Sequence, residues 1–564
     1  MPSLPLIIVV GANDLALRVC EELYATEGHE VVVMWPVRTE IAARVERIGA
    51  AFEAGEPTDV EALQRAGIAQ AACIIPVCDD DRLNLQAALK ARDVNPEIRV
   101  VLRQFNRRLG RKIEQNLPDC TALSPATHAA ATFAAAALDS SCLYGVQFPS
   151  AEGPLLGFSE RSAREFGLDD TTIGEAEQRL GLRIVSVNGA LRLGADHPIR
   201  PDDAIAACGT MRGLQRSFQR RGSRMRSAPR ARTSVRDVLR AAARLEPLLL
   251  YTFGAGLLLY ACATLYFMSA MHLSPIESLY FVAATMFTVG YGDITPHTRN
   301  AQWPAYLAAI GVMGVGVTIG GVFIATIAAA LNRAQETALR GLRRIHAEGH
   351  IVVCGAGNVG TRVIEFLLDM DQRVVVIEPQ PNAIVLELAR TRRVELLASD
   401  ATDDETLAFC DLHSAAGLVA VTDSDTANLE AALGALVYNP QLPVVMRIQD
   451  PEFSRSIARN FRIARSFSAT DLTAPALAGL ARFPASRGRV TLGGETFNIG
   501  ERGAEMHIPR AGGIPLYLWR EGKLVPVHDY VDMRPSDRLL DVVPLSKFKA
   551  QGRAEKETPN AASG

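Results

Sequence analysis

At 564 residues the chain is long enough for three or four domains, each able to bury its own core. A formal charge of −3 gives no global electrostatic basis for a nucleic-acid partner. Nine scattered cysteines, with no CxxC pair and no histidines at zinc-ligand spacing, argue against a disulfide framework or a zinc site and fit a reducing compartment.

The chain opens on MPSLPLIIVVGAND, whose short apolar run has no basic start or cleavage site and enters a glycine turn, so it reads as a β-strand. Apolar strands then alternate with Ala-rich helices to about residue 140, the pattern of a parallel doubly wound sheet. A smaller, more β-like lobe is expected over 145–209. The first glycine loop, GANDLA, keeps Gly11 but has Asn13 and Ala16 where a dinucleotide loop carries its second and third glycines. Trp35 stands where such a unit ends its second strand with an acid. This unit therefore reads as degenerate, a structural or dimerising partner that binds no dinucleotide or a different ligand.

A linker over 210–246 follows, with eleven arginines against one acid, Asp237, between Met211 and Arg244. It abuts Leu248–Met271, uncharged for 24 residues, and a second uncharged run of 29 covers Trp303–Leu331. A hydrocarbon core of about 30 Å needs roughly 20 helical residues, so both runs read as membrane spans within a pore region at 247–331. Arginines flank the pair on both outer sides (Arg333, Arg340, Arg343 and Arg344 after the second), while the loop between carries only Glu277, Asp293 and Arg299. The positive-inside rule then places both ends in the cytoplasm, in a multi-pass protein of the plasma (inner) membrane. The arginine run is expected against anionic headgroups of the lipid bilayer.

Between the spans, PIESLYFVAATMFT is helix-compatible and too short to cross, as a re-entrant helix would be. It leads into TMFTVGYGD, Thr285–Asp293. The glycines allow unusual dihedrals that turn successive carbonyls to one side, and rings of carbonyls replace the water shell of K⁺. Thr288, Val289, Gly290 and Tyr291 are the expected ion ligands. The second span holds Gly314, with Gly311 and Gly316 close by, as candidate gating hinges.

After a linker over 332–348 the first unit recurs. VVGANDLALRV at Val9 matches VCGAGNVGTRV at Val353, and three further blocks, starting at Gly55, Pro76 and Asn95, match at the same offset of 344. This is an internal duplication, with a second sheet domain over 349–480, a small lobe over 484–545 and a polar tail, read as disordered, over 546–564. Here Gly355, Gly357 and Gly360 are all present between strand and helix, and Glu378 ends the second strand 18 residues after Gly360, where a carboxylate can accept from a ribose diol. Asn358 and Val359 complete the loop. Asp400, Ala401, Thr422, Asp423 and Arg447 lie at later strand ends, where ligands bind in such sheets; Asp400 and Asp423 read equally as helix caps. The run Asp403-Asp404-Glu405 fits a Ca²⁺ or other divalent site and also an acid-rich helix start.

TMFTVGYGD resembles the selectivity signature of potassium channels, and the two glycine-loop units resemble the regulator-of-K⁺-conductance (RCK) domain, including SDAT at Ser399. The resemblance covers about residues 5–545. It implies a helical pore flanked by two α/β doubly wound RCK domains, each with a small α+β lobe, and a homotetramer, since four filter loops enclose one path. One unit precedes the pore, whereas the commoner plan puts both after it. The resemblance also implies gating by an intracellular ligand, with NAD(H), ATP, ADP and AMP all open. A membrane-anchored NAD-dependent oxidoreductase and a non-conducting nucleotide-sensing scaffold are the alternatives; no catalytic residue set is evident for the former.

Overall fold

The computed structural model describes residues 5–25, 29–150, 153–168, 170–219, 247–339, 345, 347–391, 393–461, 463–504 and 512–546. The chain divides into two compact units, one of residues 1–223 with 342–564 and one of residues 224–341. Most of the Arg-rich linker, the polar tail and part of the 332–348 linker lie outside the described residues.

In the first unit, the first copy has six parallel strands: β1 Leu6–Val10, β2 Glu30–Trp35, β3 Ala51–Ala54, β4 Ala71–Pro76, β5 Arg99–Arg103 and β6 Cys120–Leu123. Their order is β3-β2-β1-β4-β5-β6. β1 reads LIIVV because both its faces are covered: Ile7 and Val9 join one apolar layer, Ile8 and Val10 the other. The second copy, from Ile351–Cys354 to Arg465–Phe467, repeats the same strand order. Both copies are thus doubly wound, as the sequence pattern predicts, and the chain reverses direction across each sheet next to its first strand, where crevices form. Each copy continues into a five-stranded antiparallel lobe, Cys142–Thr210 and Ser486–Pro544.

The helix after β6, Pro125–Leu138, does not return to its own sheet. Ser124 caps it, and its sequence PATHAAATFAAAAL is buried without interruption from Ala129 to Ala137. A helix that is apolar all round must be enclosed on every side. Ala130, Phe133, Ala134 and Ala137 share a core with Val353, Val363, Ile364 and Leu367 of the second copy. The second copy answers in kind: Ala474, Leu477, Ala478 and Leu480 of helix Ala469–Arg482 share a core with Leu17, Val19, Leu23 and Val33 of the first. The small lobes also merge, with Tyr144, Phe158 and Cys208 packed with Leu492, Phe497, Leu516 and Val542. The Tyr517 hydroxyl donates to the Cys208 carbonyl at 3.0 Å across that junction.

The second unit is a hairpin of helices Pro247–Ala270 and Trp303–Leu339. Only 17% of each long apolar stretch, Phe253–Ala270 and Trp303–Ala325, is buried. Surfaces this apolar and this exposed suit a bilayer and not the core of a soluble domain. The second helix runs past its apolar stretch, so residues 332–339 of the expected linker are helical. Gly311, Gly314 and Gly316 all lie inside this unbroken helix. A Cβ on Gly311 or Gly314 would meet nothing within 4 Å, whereas one on Gly316 would stand 2.8 Å from the Met286 carbonyl oxygen. Gly316 is therefore a close-packing position, the commoner duty of glycine in membrane helices.

The reciprocal crossing has a direct test in hydrogen exchange of the full-length protein. Leu477→Ala removes a side chain buried against the other copy, at a cost of about 2–5 kcal/mol. Exchange is expected to quicken in β1 and β2, more than in the second copy's own strands. Acceleration confined to the second copy's strands would contradict the crossing.

Candidate functional site

In the hairpin, helix Pro275–Met286 begins at a capping box formed by Ser274 and Glu277, and its twelve residues are too few to cross a membrane. The buried Ser278 hydroxyl donates to the Thr264 carbonyl of the first span at 2.7 Å, and Glu277 pairs with Arg299 at 2.9 Å. The loop that follows alternates in handedness: Thr288, Gly290 and Gly292 have φ of +58°, +55° and +79°, while Val289 and Tyr291 stay out of the left-handed region. Such alternation is the backbone condition under which successive carbonyls can turn to one side. Thr288 is β-branched, so its positive φ is strained, a condition that persists where surrounding structure imposes it. Val289 and Gly290 N–H donate to the Ala284 carbonyl at 2.8 and 3.1 Å, tying the loop to the helix end. Tyr291 stacks on Tyr280 at 6.2 Å yet remains 71% exposed.

In the second soluble copy the three loop glycines have three separate reasons. Gly355 has φ +93°, and a Cβ there would meet Thr422 N at 2.8 Å. A Cβ on Gly360 would lie 2.0 Å from the Gly355 carbonyl oxygen, so this glycine lets helix and loop close up. At Gly357 a Cβ would meet nothing within 4 Å. Gly357 is also the N-cap of helix Asn358–Asp369, which receives no side-chain cap and leaves its first N–H groups open to an anion. Glu378 closes the loop from the next strand, accepting from Ala356 N–H at 2.7 Å and Gln380 N–H at 3.0 Å.

Other predicted residues fall into distinct roles. Asp423 pairs with Arg447 at 2.5 Å while its side chain stays 91% exposed. Thr422 N–H donates to Asn428 Oδ1 at 2.8 Å, and Asn428 Nδ2 reaches the Arg447 carbonyl at 3.0 Å. Asn428 thus pins the ends of two strands together. It was missed by sequence reasoning, although the repeat carried the signal: Asn84, its counterpart, holds Cys78 N–H and the Arg103 carbonyl in the same way. Asp400 accepts from Thr402 N–H in a local turn, and Ala401 is buried in the helical layer. The capping alternative for Asp400 and Asp423 is corrected by the structure, because Asp403 and Ser424 hold those cap positions. Asp403, Asp404 and Glu405 form a helix start, and among the described residues no group of three or more His, Cys, Asp or Glu is placed to hold a metal ion.

The first copy closes the equivalent place from within. Asn13 Oδ1 accepts from Ala16 N–H at 3.0 Å, and its Nδ2 donates to the Val77 carbonyl at 2.9 Å. The side chain takes the helix N–H that a phosphate oxygen would take. Trp35 packs on the apolar layer with Val10, Met34 and Leu63 and supplies no acceptor. The strand-end ion pair survives as Arg103 with Asp79, at 2.7 Å.

The crossing helices bring the two loops face to face. A cavity of about 380 Å³ is walled by Asn13, Asp14, Asp79 and Arg103 of the first copy and by Gly357, Asn358, Asp423 and Arg447 of the second. A second cleft of about 650 Å³ begins at Asn358 and runs between Arg108 and Arg111 of the first copy and Thr361, Arg362 and Asn382 of the second. Five of the predicted contacts (Gly357, Asn358, Val359, Asp423 and Arg447) meet in the first cavity, whereas Glu378 joins through the loop.

Comparison with known proteins agrees with this architecture. The TrkA-N domain family matches residues 7–118 and 351–466, and an ion-channel family matches 253–333. Potassium channel protein 1 of Methanocaldococcus jannaschii is 27% identical over 176 residues, 31% of this chain and 53% of that protein. The voltage-gated potassium channel Kch of Escherichia coli is 28% identical over 183 residues, 31% of this chain and 43% of that protein. The chain spans about half the length of these curated relatives. The GsuK channel superimposes with a TM-score of 0.50 at 14% identity, over 98% of this chain and 80% of that one, and a structure titled as that channel bound to NAD gives the same values. At that identity the likeness is one of fold. The chain thus carries a TrkA-N (RCK-type) domain on each side of an ion-channel domain, and over the matched stretches it is similar to potassium channels.

Proposed function

We propose that four copies of this chain form a K⁺-selective channel of the inner membrane, gated by an intracellular nucleotide held in the second soluble copy. The observation that carries the reading is the filter backbone, whose left-handed residues alternate at Thr288, Gly290 and Gly292. One chain leaves Val289 and Tyr291 more than half exposed, so a closed ring of oxygens needs further chains. The arginine-rich flanks favour a cytoplasmic position for both soluble copies.

For the ligand, the uncapped helix at Gly357 offers N–H donors to a phosphate, and Glu378 offers acceptor lone pairs to an unphosphorylated ribose. NAD(H), ATP, ADP and AMP all meet those two demands, and the NAD-bound GsuK structure gives the family precedent. Swinging a 1:99 equilibrium to 99:1 takes about 5.5 kcal/mol, or roughly 1.4 kcal/mol at each of four sites. A hydrogen bond or two per site supplies that.

Reconstituted liposomes are expected to pass K⁺ in preference to Na⁺. Gly290→Ala places a Cβ on a left-handed residue and should lower the K⁺/Na⁺ permeability ratio at least about tenfold, the factor that ~1.4 kcal/mol of lost coordination gives. Unselective flux from well-folded wild-type protein would sink the K⁺ assignment. For the ligand, a thermal-shift series with NAD⁺, NADH, ATP, ADP and AMP should find a stabilising nucleotide, and Glu378→Ala should weaken its apparent affinity about tenfold. Stabilisation that survives Glu378→Ala unchanged would remove the ribose assignment.

A further inference from the structure

We infer that the nucleotide site is shared between the two copies, with the degenerate first copy holding one half of a dinucleotide. The inference rests on the nucleotide reading above and narrows it to a ligand with two nucleoside halves joined by a pyrophosphate.

Two voids meet at Asn358, the first residue of the uncapped helix. A pyrophosphate on that helix end therefore has room for a nucleoside on either side. The cleft of about 650 Å³ holds Asn382, the cap of the helix that follows the Glu378 strand end. The cavity of about 380 Å³ lies on the other side, between the strand ends of both copies. A mononucleotide held by Glu378 and the loop would need only one of the two voids.

The smaller cavity is equipped for a ligand. Arg103 and Arg447, one from each copy, both wall it, each held in place by an ion pair with Asp79 or Asp423. Phe105 stands where the second copy has Gln449, and both side chains wall the cavity. The Arg103 guanidinium lies 4.4 Å from the centre of the Phe105 ring, and the Phe105 N–H is fixed by Asp81 at 2.9 Å. A fixed aromatic ring on a cavity wall shared by both copies is a platform for a planar base. Asn13 keeps the first copy from binding phosphate itself, so this copy acts as a wall for its partner's ligand and not as a second site.

The test uses the full-length channel in nanodiscs and titrates NAD⁺, ADP and AMP. Asp14 is exposed and opens the first copy's helix after Asn13, and it walls only the smaller cavity, so Asp14→Trp fills that space from the first copy alone. Asp14→Ala controls for the lost charge. Wild type should bind NAD⁺ more tightly than AMP. Asp14→Trp should weaken NAD⁺ at least about tenfold and leave ADP and AMP within about twofold, while Asp14→Ala keeps NAD⁺ binding. Equal weakening of all three ligands, or none, would overturn the shared site while leaving a nucleotide sensor in the second copy. A wild-type preference for AMP over NAD⁺ would overturn it too. Failure of wild type to bind any nucleotide would overturn the sensor itself and the shared site with it.

Discussion

A parallel sheet wound on both sides has two apolar faces to cover, and each copy of this chain covers one of them with a helix from the other. Helices Pro125–Leu138 and Ala469–Arg482 are rich in alanine because each is buried over its later turns, Ala129–Ala137 and Ala476–Ala481, where small side chains allow close approach. The consequence is mutual dependence, since neither sheet has a complete core without the other copy. The exchange also fixes where the loops go. It turns the strand ends of both copies toward one cavity, with Asp79 and Arg103 opposite Asp423 and Arg447. A ligand bound there touches the two halves whose packing defines the soluble unit, which is where a small binding energy can shift a two-state arrangement.

Within this near-symmetric frame, one side chain separates the copies. The same helix end is satisfied by Asn13 in the first and left open at Gly357 in the second. An open N-terminus attracts an anion, and a capped one is already content. Trp35 and Glu378 repeat the contrast at the next strand end, one spent on apolar packing and the other on backbone N–H groups beside the loop. Duplication accounts for the shared scaffold, and differences at a few positions, Asn13 against Gly357 and Trp35 against Glu378, separate the copies at this loop.

Much of this was legible in the sequence because it is local. Charge-free runs, the TMFTVGYGD loop, strand patterning and a repeat at constant offset each sit within a short window. The three glycines were also legible, and in the structure a Cβ would clash at Gly355 and Gly360 and meet open space at Gly357. What was hidden depends on contacts far apart in the chain. An Ala-rich helix at Ala126–Ala137 is legible from composition, but which sheet buries it is not. Cap positions were misassigned by one to three residues, Asp423 for Ser424 and Asp400 for Asp403, because neighbouring Asp and Ser are equally good caps by type. Phe105 drew no notice because its partner across the cavity is known only once the copies are placed together.

The central claim is that nucleotide in the second copy governs a K⁺ pore, and Gly357→Asn tests it by installing in the sensor the plug that closes the first copy. In planar bilayers, nucleotide added on the side of the soluble domains should change the open probability of the wild-type channel. Gly357→Asn should abolish that response and leave K⁺ over Na⁺ selectivity intact. An undiminished nucleotide response in Gly357→Asn channels would contradict the account.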